Sequence, residues 1–172
     1  MHLNPFQWSF RAQALLGFAL CAGLIGFALF SQSYWELKPC PLCIFQRIAF
    51  AALGLVFLVA GLLAPKGALG RRVWGVLGLV AAGVGAGIAG RHVRLTHLPK
   101  DEVPSCGPPL EFMMDTNPLT DVIRMVLTGS GECAKIDWTF LGLSMPAWSL
   151  TWFVALGLFA LFITFKPRPA AI

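Results

Sequence analysis

The stretch "ELKPCPLCIFQRIAFAALGLVFLVAGLLA", Glu36–Ala64, decides the fold. From Ile44 to Ala64 it is an apolar run, interrupted only near its outer end by Gln46 and Arg47. Those 21 residues match the ~20 that a helix needs to cross a hydrocarbon core of ~30 Å. Working outward, three more blocks of that kind appear: Ala12–Phe30, Val73–Gly90 and Met145–Phe165. The composition agrees, with 57% hydrophobic and 12% charged residues, where soluble domains have about 45–50% and about 25%. A soluble core has no need of four such runs. The chain is expected to be an all-α membrane protein, a bundle of four transmembrane helices forming one integral membrane domain over residues 1–172. Its spans are placed at about 12–30, 44–64, 73–90 and 145–165. The first block exceeds the apolar core of a secretion signal, about 7–15 residues. The "SQSYWELKP" after it reads as an interfacial aromatic belt, so the block is taken as a retained helix.

Charge orients the bundle. Four spans put both termini on one side with the loop Pro65–Arg72, and that side carries Arg11, Lys66, Arg71, Arg72, Lys166 and Arg168 without an acid. All eight acids fall in the other two loops or at their edges. Lys and Arg near span ends mark the cytoplasmic side. Both termini and the loop Pro65–Arg72 are therefore expected on the cytoplasmic side of a multi-pass protein, with the loops at about 31–43 and 91–144 on the outer side. The bases are few and hug span ends, which argues against nucleic-acid binding. In the third span Gly83, Gly87 and their neighbours have small-xxx-small spacing, which lets helices approach closely in lipid.

The second outer loop divides in two. Pro99, Pro104, Pro108 and Pro109 make regular structure unlikely in "RLTHLPKDEVPSCGPPLEF". In "NPLTDVIRMVLTGSG", Leu119, Val122, Ile123, Val126 and Leu127 recur at helical spacing. This predicts a short amphipathic interfacial helix capped by Asn117, with Pro118 in its first turn and Gly129 at its end. Asp121 and Arg124 would face water.

Five cysteines remain. Cys21, mid-span, reads as a small apolar residue. Cys40, Cys43, Cys106 and Cys133 all fall on the outer side, which is oxidising in a bacterial-type inner membrane. A Cys40–Cys43 bond closes too small a loop to restrain the fold, whereas Cys106–Cys133 would close 28 residues, worth about 3.5 kcal/mol in the chain-entropy treatment. The Cys-x-x-Cys pair is therefore read as redox chemistry. Zinc would want a second close pair or histidines at finger-like spacing, so no metal site is expected. If the second helix starts near Pro41, the pair sits at a helix N-terminus, where the exposed N–H groups favour a thiolate. Cys40, Cys43 and Arg47 then share one face, and the Arg47 guanidinium could stabilise an anion there. A thiol pair at membrane depth can pass electrons to a lipid-soluble carrier, for which a quinone is the obvious choice, while the thiols of the Pro-rich loop can meet a soluble protein.

"KPCPLCIFQR" before a span, a lone cysteine in "VPSCGPP", another in "GSGECAKIDWTFLGLSMPAW", and four spans together resemble the DsbB family of inner-membrane thiol:quinone oxidoreductases. The resemblance covers essentially the whole chain, and it makes the outer side the periplasmic side of a bacterial inner membrane. It implies four catalytic cysteines. Cys106 would form a mixed disulfide with a DsbA-like periplasmic thioredoxin-fold oxidant, and Cys133 would be its partner, able to join Cys40 across the two loops. Cys43 would face bound quinone, ubiquinone or menaquinone, with Arg47 beside it. By position His92 would also belong to the quinone site, with His97 a second candidate. A partner potential near about −120 mV makes reoxidation by a dithiol near about −200 mV uphill by roughly 4 kcal/mol, so an external acceptor is needed. Two alternatives stand beside this reading. One is a quinone-coupled thiol oxidase of the vitamin K epoxide reductase type, whose pair precedes a late helix. The other is a non-catalytic membrane protein using thiols as soft metal ligands.

Overall fold

The computed structural model describes residues 8–36, 38–99, 101–105, 107–108, 110–136 and 138–165. Cys106, Pro109, Lys166 and Arg168 lie outside the described residues.

Four helices are long and apolar enough to cross a membrane: α1 (Phe10–Tyr34), α2 (Pro41–Leu63), α3 (Ala68–Thr96) and α6 (Met145–Phe165). Two short helices, α4 (Leu110–Thr116) and α5 (Leu119–Thr128), lie between α3 and α6. They are followed by a 3-10 turn (Gly131–Ala134) and the strands β1 (Thr139–Phe140) and β2 (Leu143–Ser144). Local chemistry sets the long helices' ends. The Ser9 hydroxyl accepts from the Ala12 N–H at 3.3 Å to start α1. Cys40 caps α2 in the same way, its sulfur accepting from the Cys43 N–H at 3.4 Å, and Pro41 takes the first turn, where its missing N–H costs nothing. Ala64 then turns left-handed and Gly67 begins α3, so α2 and α3 form a hairpin.

α1 packs on α2, α2 on α3, and α3 on α6. The main core is built from small residues meeting large rings. Phe57 lies over Gly17, and Gly54 receives Cys21, whose buried side chain serves as a small apolar filler. On α3 the close approach to α6 uses Gly75, Gly78, Ala82, Gly85 and Ala89, with Gly85 against the ring of Phe153 and Gly75 against Thr164. Gly83 and Gly87 meet nothing within 4 Å. The sequence picks the right helix but the wrong stripe, because several small-residue spacings coexist in a Gly-rich helix and only the partner chooses among them. Phe50 and Phe153 stack at 3.8 Å between ring centres, locking α2 to α6. Leu55, Leu62, Val76, Val80, Val84, Leu158 and Phe162 point away from the core. Each would lose about 1.5–3 kcal/mol of burial free energy in water but not in lipid.

Three expectations for the outer end change. α3 does not end near Gly90 but continues to Thr96, which carries His92 inside the helix. α4 forms within a stretch expected to be irregular, and buries Met113. α5 begins on Pro118, while the Asn117 amide turns back to donate to the Met113 carbonyl (3.3 Å) and the Thr116 hydroxyl (2.9 Å), closing α4. The α5 stripe is also shared out. Val122 and Val126 are buried, whereas Leu119, Ile123 and Leu127 stay exposed beside Asp121 and Arg124, available to lipid. Arg91 fixes the helix to α3 by donating to the last carbonyls, Leu127 (3.2 Å) and Thr128 (2.8 Å), where the helix dipole favours a cation. Finally, Leu141 and Gly142, both at positive φ, make the two-residue turn of a β1–β2 hairpin in register Thr139↔Ser144.

Candidate functional site

A second, smaller core lies at the N-terminal end of α2, and the cysteines are part of it. Cys40, Leu42, Leu95, Met113, Val122, Val126 and Cys133 form one buried cluster, with Cys43 packed against it. The cap of α2 places Cys40, and the 3-10 turn after α5 brings in Cys133. Cys21, Cys40, Cys43 and Cys133 all carry free thiols.

The sulfurs are within exchange reach. The Cys40 thiol donates to Cys43 Sγ at 3.1 Å, with the Cys133 sulfur as the alternative acceptor of its one proton. Cys40 therefore stands between the other two. Its bonds to Cys133 and Cys43, together with burial, push its pKa far up, so it keeps its proton. The thiol of Cys133 is lowered to about 5, first by the bond from Cys40 and further by backbone groups of Leu42 and Ser130, against the opposing effect of burial. Cys40 thus acts as a proton donor toward Cys133.

His92 closes the cluster from α3. It is 2% exposed, its Nε2 lies 3.7 Å from Cys40 Sγ and 3.0 Å from the Cys133 carbonyl, and its Nδ1 lies 2.9 Å from Gln46 Nε2. An Nε2–H tautomer that donates to the Cys133 carbonyl and accepts from the Gln46 amide satisfies both ring nitrogens. His97 is apart from the cluster, exposed and bonded to Val93 and Thr96 of its own helix. Arg47 departs from the sequence expectation in detail. Its Nη1 donates to Gln32 Oε1 (2.6 Å) and its Nη2 to the Ala28 carbonyl (3.1 Å), so the guanidinium clasps α1 and is not bonded to a thiol. Gln46 is the site residue that sequence reasoning missed. It lies three residues after Cys43 on the same helix face, a spacing that periodicity alone does not tell apart from that of Arg47.

Cys40, Cys43, Gln46, Arg47 and His92 line one end of a cavity of about 560 Å³ between the helices. Leu24, Ile25, Phe50 and Trp152 line its apolar wall. Aromatic rings frame one side: Trp35 stacks on Trp138 at 6.2 Å, Trp138 on Phe140 at 6.0 Å, and Trp148 Nε1 donates to the Phe140 carbonyl at 3.0 Å.

A bundle of membrane-crossing helices whose head gathers three thiols in one buried cluster, the central one kept protonated, is a multi-pass membrane protein built for thiol–disulfide exchange. Comparison with known proteins agrees. The family described as Disulfide bond formation protein DsbB matches residues 10–163. The chain is 58% identical over 170 residues to Disulfide bond formation protein B of Xanthomonas euvesicatoria pv. vesicatoria (strain 85-10), covering 99% of both chains. It is 52% identical over 164 residues to the protein of that name from Xylella fastidiosa (strain 9a5c), covering 95% of both. The chain belongs to the DsbB family, disulfide-forming oxidoreductases of the membrane.

Proposed function

We propose that the protein is a thiol:quinone oxidoreductase that reoxidises a DsbA-like periplasmic disulfide donor and delivers the electrons to membrane ubiquinone or menaquinone. The observation that carries this reading is the central place of Cys40, bonded to Cys43 on the cavity side and to Cys133 on the loop side. In the working cycle a partner thiolate attacks Cys106 of a Cys106–Cys133 disulfide, forming a mixed disulfide and releasing Cys133 as a thiolate. The second partner thiol then attacks its own mixed sulfur, and the partner leaves oxidised with Cys106 reduced. Cys133, released as a thiolate in the first step, attacks Cys40 of a Cys40–Cys43 disulfide and frees Cys43. Cys106 closes back on Cys133, and the two electrons then reside on the Cys40–Cys43 dithiol. His92 keeps Cys40 and the Cys133 backbone in register throughout.

The residues around the cavity fit a quinone. Its volume lies in the usual ligand-site range of about 300–1,000 Å³, with apolar side chains on one wall and Cys43, Gln46, Arg47 and His92 at one end. When bound, the quinone supplies a two-electron, two-proton sink. Arg47 would place a fixed positive charge at the cavity edge, and Gln46 would hold the His92 ring. The basic, acid-free segments at Arg11 and Lys66–Arg72 support cytoplasmic termini and a periplasmic thiol end in an inner membrane.

The test is oxidation of a reduced DsbA-like partner by the purified protein in detergent. One quinone should be consumed per partner disulfide formed, and Cys43→Ser should abolish turnover. Partner oxidation that proceeds unchanged without quinone would refute the assignment.

A further inference from the structure

The reduced thiol cluster has the donors and spacing of a metal site. Cys40 Sγ, Cys43 Sγ and a ring nitrogen of His92 lie within 4.8 Å of one another. Tetrahedral zinc, with Zn–S of about 2.3 Å and Zn–N of about 2.0–2.1 Å, sets its sulfurs about 3.8 Å apart and sulfur to nitrogen about 3.5 Å apart. The observed Cys40–His92 separation is 3.7 Å, and the Cys40–Cys43 pair at 3.1 Å needs to open by only a fraction of an ångström. Three protein donors leave the fourth position of a tetrahedron to water. From this geometry we infer that the fully reduced protein binds one Zn²⁺ through Cys40, Cys43 and His92.

An independent feature supports this. A metal-bound histidine needs a hydrogen-bond acceptor on its other ring nitrogen to fix tautomer and orientation. The buried Gln46 amide lies 2.9 Å from His92 Nδ1 and offers its oxygen after a simple flip. His92 Nε2, relieved of its proton, then turns its lone pair to the metal and gives up its bond to the Cys133 carbonyl. The Cys43 N–H, already on Cys40 Sγ at 3.4 Å, stabilises the bound thiolate.

The consequence follows from the same sulfurs serving both purposes. Zinc binds thiolates and displaces the Cys40 proton to solvent, whereas a disulfide has no thiolate to offer. Zinc has no redox chemistry of its own, so it holds the relay reduced. The ion is a competitor of the Cys40–Cys43 disulfide and an inhibitor of turnover. This inference rests on the redox reading for its consequence but not for the binding.

The experiment uses the purified full chain in detergent, reduced with a phosphine that is then removed. It is equilibrated with micromolar Zn²⁺ and assayed for bound metal, with Co²⁺ as a spectroscopic substitute. One ion per reduced chain is expected, with sulfur-to-cobalt charge-transfer absorption, and none in the oxidised protein. Cys43→Ser and His92→Ala should lose the ion, while Cys21→Ala and Cys106→Ser should keep it. Gln46→Leu leaves every donor in place and should weaken binding roughly tenfold to a hundredfold. Partner oxidation should stop on adding Zn²⁺ to reduced protein and return with a chelator. No ion on reduced wild-type protein, equal retention by oxidised protein, or retention in both Cys43→Ser and His92→Ala would overturn the site. Binding is read without quinone or partner, so its failure leaves the thiol-oxidase assignment standing.

Discussion

Replacing Arg47 by Gln tests two roles for one guanidinium, a clasp between helices and a charge beside the proposed quinone cavity. In the structure Arg47 joins α2 to α1 through Gln32 and the Ala28 carbonyl, and it borders the cavity beside Cys43. A hydrogen bond to a charged group contributes about 1.5–3 kcal/mol when sheltered, and much less where water can replace it. The Gln32 bond is exposed and the Ala28 bond part-buried. Losing both should therefore cost about 1–3 kcal/mol of stability, which Gln recovers in part by reaching one of the two acceptors. The effect on electron transfer should be larger in proportion. If the cation steadies negative charge in the cavity, one lost charge-assisted contact raises the apparent KM for quinone by roughly tenfold to a hundredfold. Arg47→Lys retains the charge but cannot fork between Gln32 and Ala28, so it should fall between wild type and Arg47→Gln. The assay is steady-state oxidation of reduced partner across a quinone titration, with thermal unfolding in detergent as the control for folding. An Arg47→Gln protein with wild-type quinone dependence and a lowered unfolding temperature would reduce Arg47 to a clasp between helices and refute the electrostatic role.

Gly85→Ala should destabilise the bundle by about 1–3 kcal/mol, because the added carbon falls on the Phe153 ring, whereas Gly83→Ala and Gly87→Ala enter open space and should be neutral in thermal unfolding. Cys21→Ala removes one buried sulfur beside Gly54 and should cost about 1 kcal/mol while leaving turnover intact, and a large loss of turnover would place Cys21 in the relay. Ultraviolet thiolate absorbance of a reduced Cys43→Ser protein should show Cys133 ionised down to about pH 5. Because its pKa is depressed, the stabilisation it provides is present above its ordinary value of 9.0 and is lost as pH falls through about 5. Cys40→Ala removes the main cause and should move that titration up toward 9.0. Reporter fusions after Arg72 and after Lys135 should give cytoplasmic and periplasmic readings respectively, and the opposite pattern would invert the proposed orientation.

The spans were legible because lipid imposes length and apolarity on each helix separately, without reference to any partner. The α2 cap was legible for a similar reason: Cys40, Pro41 and Cys43 act within a single turn. What the sequence could not show is set by pairs. His92 reaches the thiols only because α3 runs on to Thr96, past a glycine where the apolar pattern stops but the helix does not. Arg47 and Gln46 are adjacent in sequence, and the helix turns them to different neighbours, one to α1 and the other to His92. Periodicity alone gives no basis for assigning the charge to a clasp and the amide to the catalytic face.

That division has a physical reason. A guanidinium bonded directly into the thiol cluster would hold a thiolate there and oppose the protonated state of Cys40. The hydrogen-bonded pair Gln46–His92 orients the sulfurs and leaves the negative charge free to move among them. Exchange requires that freedom, since each step moves the charge from the attacking sulfur to the leaving one. Cys40 and Cys43 lie at or within the first turn of α2, whose exposed N–H groups favour an anion by about 0.3–1 kcal/mol. Cys133 is drawn to the same end through its bonds to Cys40 and the Leu42 backbone. The helix terminus thus supplies a modest field shared by all three sulfurs. The stronger charge of Arg47 lies one turn deeper, beside the cavity proposed to hold the quinone.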